Sequence, residues 1–155
     1  MQTDSPAPPP ADPSWRIGIV ASCFYKEETA ALVAGAREAL ESAGVPEENI
    51  LVHDAAGSFE IPLIGRALAD AGHVDALIGI GIIVQGETYH ADLLAAESAR
   101  GIMDVQLRCG MPFAFEILHV ASLDQARARL QKGREAAYAV LHSLGEFKRI
   151  LGRKH

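Results

Sequence analysis

A chain of 155 residues, 49% apolar and 22% charged, suffices for one domain with a single sizeable core and not for two. Fourteen Lys and Arg against 20 Asp and Glu leave a formal charge of −6, with no basic stripe to hold nucleic acid by its phosphates. No apolar run reaches the roughly 18–20 residues of a membrane span, and two cysteines, Cys23 and Cys109, cannot make a disulfide framework, so a reducing cytoplasm fits.

The first 14 residues, MQTDSPAPPPADPS, hold Pro6, Pro8, Pro9, Pro10 and Pro13. They lack both an apolar period and the basic and apolar regions of a signal peptide, so residues 1–14 read as a disordered, polyproline-like tail and 15–155 as the domain. Arg16–Ser22 is a β-branched apolar run, predicting a buried strand. From Lys26 to Ala43 the period becomes helical, with Leu32, Val33, Ala36 and Leu40 on one face and Gly44 and Pro46 as the stop. Ile50–His53 reads as a second strand, Ala55–Phe59 as a loop, and Glu60–Ala71 as a helix with Pro62 in its first turn.

Asp75–Val84 (DALIGIGIIV) is apolar nearly throughout, which suits a strand buried on both faces of a parallel sheet. After the loop QGETYH comes a helix over Ala91–Arg108, with Leu93, Leu94, Ile102 and Val105 expected inward. Pro112–His119 reads as a fourth strand and Leu123–Leu130 as a short helix. Arg134–Leu151 is a closing helix with the stripe Ala137, Val140, Leu141 and Leu144. The alternation predicts an α/β fold: a three-layer α/β/α sandwich on a central four-stranded parallel sheet, flavodoxin-like. Ligands of such sheets sit outside the carboxyl ends of the strands, so the loops there carry the candidate chemistry.

In the first of these loops, Phe24 and Tyr25 either cap the core or stack on a flat ligand. In the second, Gly57 permits unusual backbone, Ser58 suits a helix cap, and Glu60 suits either the helix dipole or a polyhydroxyl ligand. The third, Gln85–His90, precedes the longest helix, whose exposed N–H groups favour an anion. Thr88 adds a hydroxyl, and His90 is the side chain type suited to proton transfer near neutrality. Arg127, Arg129, Lys132 and Arg134 are either a solvated helix face or a source of phosphate ligands. Gly79 and Gly81 lie within a strand and make no dinucleotide fingerprint. P-loop, nucleophile elbow and metal-ligand spacing are all missing from the sequence.

Phe24, then GSFEIP at Gly57–Pro62, GIIVQGETYHADL at Gly81–Leu93, PFAFEIL at Pro112–Leu118, DQARAR at Asp124–Arg129 and KGREAA at Lys132–Ala137, in this order, resemble the lumazine synthase (6,7-dimethyl-8-ribityllumazine synthase) family. The resemblance spans about Arg16–Leu144. It implies a transferase of riboflavin biosynthesis that condenses 5-amino-6-ribitylamino-uracil with 3,4-dihydroxy-2-butanone 4-phosphate, with no cofactor and no metal. It further implies that Phe24 stacks on the pyrimidine and that the Gly57-Ser58-Phe59-Glu60 loop binds the ribityl chain through Ser58 and Glu60. The segment Ile82-Ile83-Val84 then contacts the heterocycle. Glu87 and Thr88 meet the phosphate with Arg129 and Lys132, Phe115 comes from a neighbouring subunit, and His90 shuttles protons. The implied partners are these small molecules and further copies of the chain.

Three departures accompany the likeness. Gln85 stands where the family often has Arg, Glu116 replaces a common small residue, and only Leu130 and Gln131 separate Arg129 from Lys132. The resemblance also implies pentamers, which in some members assemble into a capsid. With the proline tail poorly suited to donating a strand, a homopentamer or a pair of pentamers (a decamer) is expected rather than a capsid. The alternative is a flavin- or lumazine-binding carrier, or an assembly protein, on the same scaffold with weak or no catalysis.

Overall fold

The computed structural model of the protein describes residues 8–152. Strands β1 (Ile17–Ser22), β2 (Ile50–Ala55), β3 (Ala76–Val84) and β4 (Phe113–Val120) form one parallel sheet in the order β2-β1-β3-β4. Helices α1 (Lys26–Ala43), α2 (Ile61–Asp70) and α3 (His90–Cys109) connect successive strands, and α4 (Leu123–Arg127) and α5 (Lys132–Leu151) follow β4. This is the three-layer, flavodoxin-like sandwich that the alternation predicts.

The alternation of side chains along a strand assigns the two cores. Ile17 and Ile19 of β1 and Ile78, Ile80 and Ile82 of β3 pack under α1 and α5. Val20, Leu77 and Ile83 face the opposite layer, with Ile61 and Leu68 of α2 and Ile102 and Val105 of α3. Every residue of β3 but Val84 is buried, as its unbroken apolar run requires. The α5 stripe Ala137, Val140, Leu141 and Leu144 is at most 1% exposed, each large member stabilising the fold by about 1.5–3 kcal/mol. That helix crosses α1 at Gly133, where a Cβ would collide with the carbonyl of Leu32.

Several expectations shift. The β1–β2 ladder carries β2 to Ala55, two residues beyond the expected end. α4 stops at Arg127, and α5 begins two residues early, at Lys132. Leu93, expected inward, is 58% exposed. It lies nine positions before buried Ile102, about two and a half turns, so the two point to opposite sides of α3.

Of the expected tail, residues 1–7 lie outside the described residues. Residues 8–14 rest on the domain. The Ala11 N–H donates to the carbonyl of Ala43 at 2.8 Å, Asn49 Nδ2 donates to the carbonyl of Pro13 at 3.0 Å, and Lys148 Nζ stands 3.2 Å from Asp12 Oδ2. Proline removes donors that a ladder strand needs and leaves its carbonyls free for such contacts.

Candidate active site

Because all four strands run parallel, the loops after β1, β2 and β3 meet at one edge of the sheet, around a cleft of about 560 Å³. Its floor is the end of β3, Ile82, Ile83 and Val84.

After β1 the chain turns sharply. Ser22 Oγ accepts from the Phe24 N–H at 3.2 Å, and Thr29 Oγ1 donates to the Phe24 carbonyl at 2.8 Å. Tyr25 follows with φ 51°, the one non-glycine residue at positive φ among those described. A bulky residue held there costs roughly 1–3 kcal/mol, and here the turn sends the Phe24 ring out over the cleft, 62% exposed.

The second loop lies beneath that ring. Gly57 has φ −154°, ordinary extended backbone, so conformational freedom is not what the position uses. It uses space: a Cβ would stand 3.3 Å from Phe24 Cε2 and 3.4 Å from Glu60 Oε1. A short 3-10 turn, Ser58–Glu60, then leads into α2. The Ser58 side chain makes no cap bond; its Oγ sits over Gly81 of β3, where a Cβ would come within 2.5 Å of it. The Ser58 carbonyl accepts from buried Ser98 Oγ at 3.2 Å, which ties the loop to α3. Phe59 and Glu60 thereby join the cleft wall.

The third loop ends at His90, the first residue of α3, exposed and bordering the cleft. Its N–H lies 3.4 Å from Thr88 Oγ1, and no side chain of Tyr89 caps the helix. One cleft thus collects Phe24, Gly57, Ser58, Phe59, Glu60, Ile82, Ile83, Val84 and His90. Tyr25, offered with Phe24 as a ligand-stacking aromatic, lines it too, and sequence reasoning leaves out Ser22, Ala91, Leu93 and Leu94 as lining residues. Tyr25 is legible as an aromatic at a strand end; the others carry no signal beyond helical or strand apolarity.

Five candidates stand off this chain's cleft. Glu87 and Thr88 occupy the exposed turn before α3, and Phe115 lies on edge strand β4, 43% exposed. Arg129 and Lys132 lie at the α4–α5 junction. Most cations of that cluster are engaged. Arg127 pairs with buried Glu28 at 3.4 Å and with Asp124 at 3.1 Å, Lys132 with Glu135 at 2.9 Å, and Arg134 with Glu38 at 3.8 Å. The Arg129 guanidinium donates only to the Gln125 carbonyl at 2.9 Å, so among the described residues it is the cation of the four without a carboxylate partner. Lys132 also lies between two carboxylates. The hydrogen bond to Glu135 raises its pKa, and burial pushes Glu116 up to about 7 against the pull of the Lys132 charge.

No group of three His, Cys, Asp or Glu side chains that could hold a metal ion occurs among the described residues, and none of their helices is long and apolar enough to cross a membrane.

Residues 14–148 match the family model for 6,7-dimethyl-8-ribityllumazine synthase. The chain belongs to that family. Proteins named 6,7-dimethyl-8-ribityllumazine synthase are similar to it over most of their length. That of Levilactobacillus brevis is 41% identical over 134 residues, 83% of this chain and 85% of its own. The one from Paracidovorax citrulli is 46% identical over 122 residues, 78% of this chain and 79% of its own. The one from Methylobacillus flagellatus is 39% identical over 136 residues, 87% and 91%. The likeness to the lumazine synthases therefore covers every loop that borders the cleft.

Proposed function

We propose that the chain condenses 5-amino-6-ribitylamino-uracil with 3,4-dihydroxy-2-butanone 4-phosphate to form 6,7-dimethyl-8-ribityllumazine, as a transferase of riboflavin biosynthesis. The observation that carries this reading is the convergence of Phe24, Glu60 and His90, from three separate loops, on one cleft floored by β3. An exposed aromatic face suits a flat pyrimidine. Ser58 and Glu60 suit the ribityl hydroxyls, and the Ile82–Val84 edge suits the heterocycle.

The substrate amine is itself the nucleophile, so the reaction calls for placement more than for an activated side chain. The amine attacks the ketone and water leaves to give an imine. Phosphate departs from the four-carbon chain, and the ribityl-bearing nitrogen closes the second ring with loss of another water. His90 moves protons in these steps from the cleft mouth. The N–H groups of Glu87 and Thr88 and the Arg129 guanidinium bind the phosphate and assist its departure. The pairing of Lys132 with Glu135 makes it the weaker phosphate ligand of the two cations. The chemistry needs neither metal nor organic cofactor.

Phe115 serves the cleft of a neighbouring copy. Its exposure on edge strand β4 supports this, as does the apolar outer stripe of Leu93, Met103 and Leu107 on α3, at least half exposed. A head-to-tail contact of this kind closes into a ring, a homopentamer or a pair of them, in the cytoplasm. The prolines of the N-terminal segment, poor donors for a ladder, support a ring over a strand-exchanged capsid.

The test is incubation with both substrates while following lumazine absorbance and fluorescence. Product formation is expected. Riboflavin-type binding without product would return the carrier reading, and a particle near 60 subunits in sedimentation would overturn the ring assignment.

A further inference from the structure

β3 ends at Val84, and residues 85–89 carry the chain to α3. One side chain organises that turn. Gln85 Nε2 donates to the carbonyls of Gly86 at 3.3 Å and Thr88 at 3.4 Å, and to Asp92 Oδ2 at 3.2 Å in the first turn of α3. At its other end, Oε1 lies 2.7 Å from Nε2 of His119 on β4. The Gln85 N–H donates to the Val120 carbonyl at 2.7 Å, so backbone and side chain both tie this residue to the end of β4.

Chemistry settles the orientation of these groups. Three oxygens face one end of the amide, so that end is the NH₂; turned over, Oε1 would face all three without a proton between them. Oε1 therefore accepts, and His119 presents Nε2–H. Among the described residues, the one other side-chain bond within the turn is the 3.4 Å contact between Thr88 Oγ1 and the His90 N–H. A glycine-containing turn with Glu87, Thr88 and Tyr89 all exposed has little else to hold its shape.

We propose that Gln85 is a positioning residue whose amide, oriented by His119, latches the Gly86–Thr88 turn so that its N–H groups face the phosphate of the four-carbon substrate. The inference rests on the preceding reading of that turn as the phosphate site. Donors held in place before binding spare the ordering cost that a loose turn would incur. The same amide occupies Asp92, a carboxylate that otherwise competes with the phosphate for the N-terminus of α3.

The experiment measures kcat and both substrate KM values for Gln85→Leu, His119→Ala and His119→Gln, together with inorganic phosphate binding by calorimetry and thermal melting. Gln85→Leu is expected to raise the KM of the butanone phosphate, and the Kd of inorganic phosphate, by about tenfold, the size of one or two lost hydrogen bonds. The pyrimidine KM and the shape of the kcat–pH profile stay as in the parent. His119→Ala reproduces part of the rise, and His119→Gln, whose amide can still donate to Oε1, restores the parent values. Unchanged phosphate KM and Kd in a folded Gln85→Leu protein overturn the proposal, as does an equal rise in both substrate KM values. If Gln85→Leu does not fold, the His119 pair decides in the same way, since that side chain is exposed on an edge strand. A parent protein that forms no lumazine overturns the proposed activity, and the phosphate Kd values still judge the latch.

Discussion

The Phe24 ring stands directly over Gly57, so near that a Cβ there would lie 3.3 Å from Cε2 of the ring. The loop after β1 and the loop after β2 are thus closely fitted at a point where a Cβ would press on the ring and touch Glu60.

Substitution at Gly57 tests that fit. Its φ of −154° accepts any residue, and Phe24 is free to swing into solvent. Gly57→Val should therefore change stability by less than about 1 kcal/mol. It should raise the pyrimidine KM about tenfold, because the ring and carboxylate no longer hold their places. Thermal melting and steady-state kinetics measure the two effects separately.

Two arginines two positions apart should behave oppositely. Arg127 neutralises Glu28, a carboxylate whose side chain is 8% exposed, so Arg127→Ala leaves that charge unpaired. A loss of about 1–3 kcal/mol is expected, below the figure for a fully buried pair because Arg127 is half exposed, with the butanone-phosphate KM unchanged. Arg129→Ala should leave stability unaltered and raise that KM about 10- to 100-fold, the size of a lost charge-assisted contact. Denaturant titration beside kinetics checks both, and a KM effect at Arg127 would undo the assignment.

Glu116 makes stability depend on pH. Burial pushes its pKa from an ordinary 4.5 up to about 7, while Lys132 pulls it down and Glu135 pushes it up. The folded state therefore holds this proton more tightly than the unfolded chain, and stability falls as pH rises from about 4.5 through about 7. At 1.36 kcal/mol per unit the loss is up to about 3 kcal/mol. Glu116→Gln should match the parent near pH 5, exceed its stability by about 1–3 kcal/mol at pH 8, and flatten the curve between. Chemical denaturation across pH 5–8 reads this directly.

A site shared between copies predicts complementation. His90→Ala and Phe115→Ala proteins should each be impaired, with His90→Ala lowering kcat by about 10- to 100-fold. Unfolded together and reassembled in equal amounts, they should recover activity at about a quarter of their interfaces, where an intact cleft meets an intact Phe115. A mixture no more active than its parts would place Phe115 outside the reaction.

The fold was legible because its signals are local. The unbroken apolar run of β3 and the α5 stripe Ala137, Val140, Leu141 and Leu144 state their burial through spacing alone. Three loop motifs were legible as well, since a parallel sheet delivers its strand ends to one edge. Strand-end position marked Phe24, Glu60 and His90 as candidates with a structural alternative for each, and the resemblance to the lumazine synthase family implied their roles.

What required the tertiary structure was every property that depends on a distant partner. Which cation is left for an anion was decided by Glu28, Glu38 and Glu135, two of them on another helix. Gly57 looks like a turn residue in the sequence and proves to be a spacing residue, because the ring it accommodates arrives from a different loop. The Gln85–His119 contact joins side chains 34 positions apart and leaves no periodic trace. Composition and periodicity record which groups are apolar and how often they recur. Pairing between charges and amides is set by where the chain returns in space, and the packed sheet alone determines that.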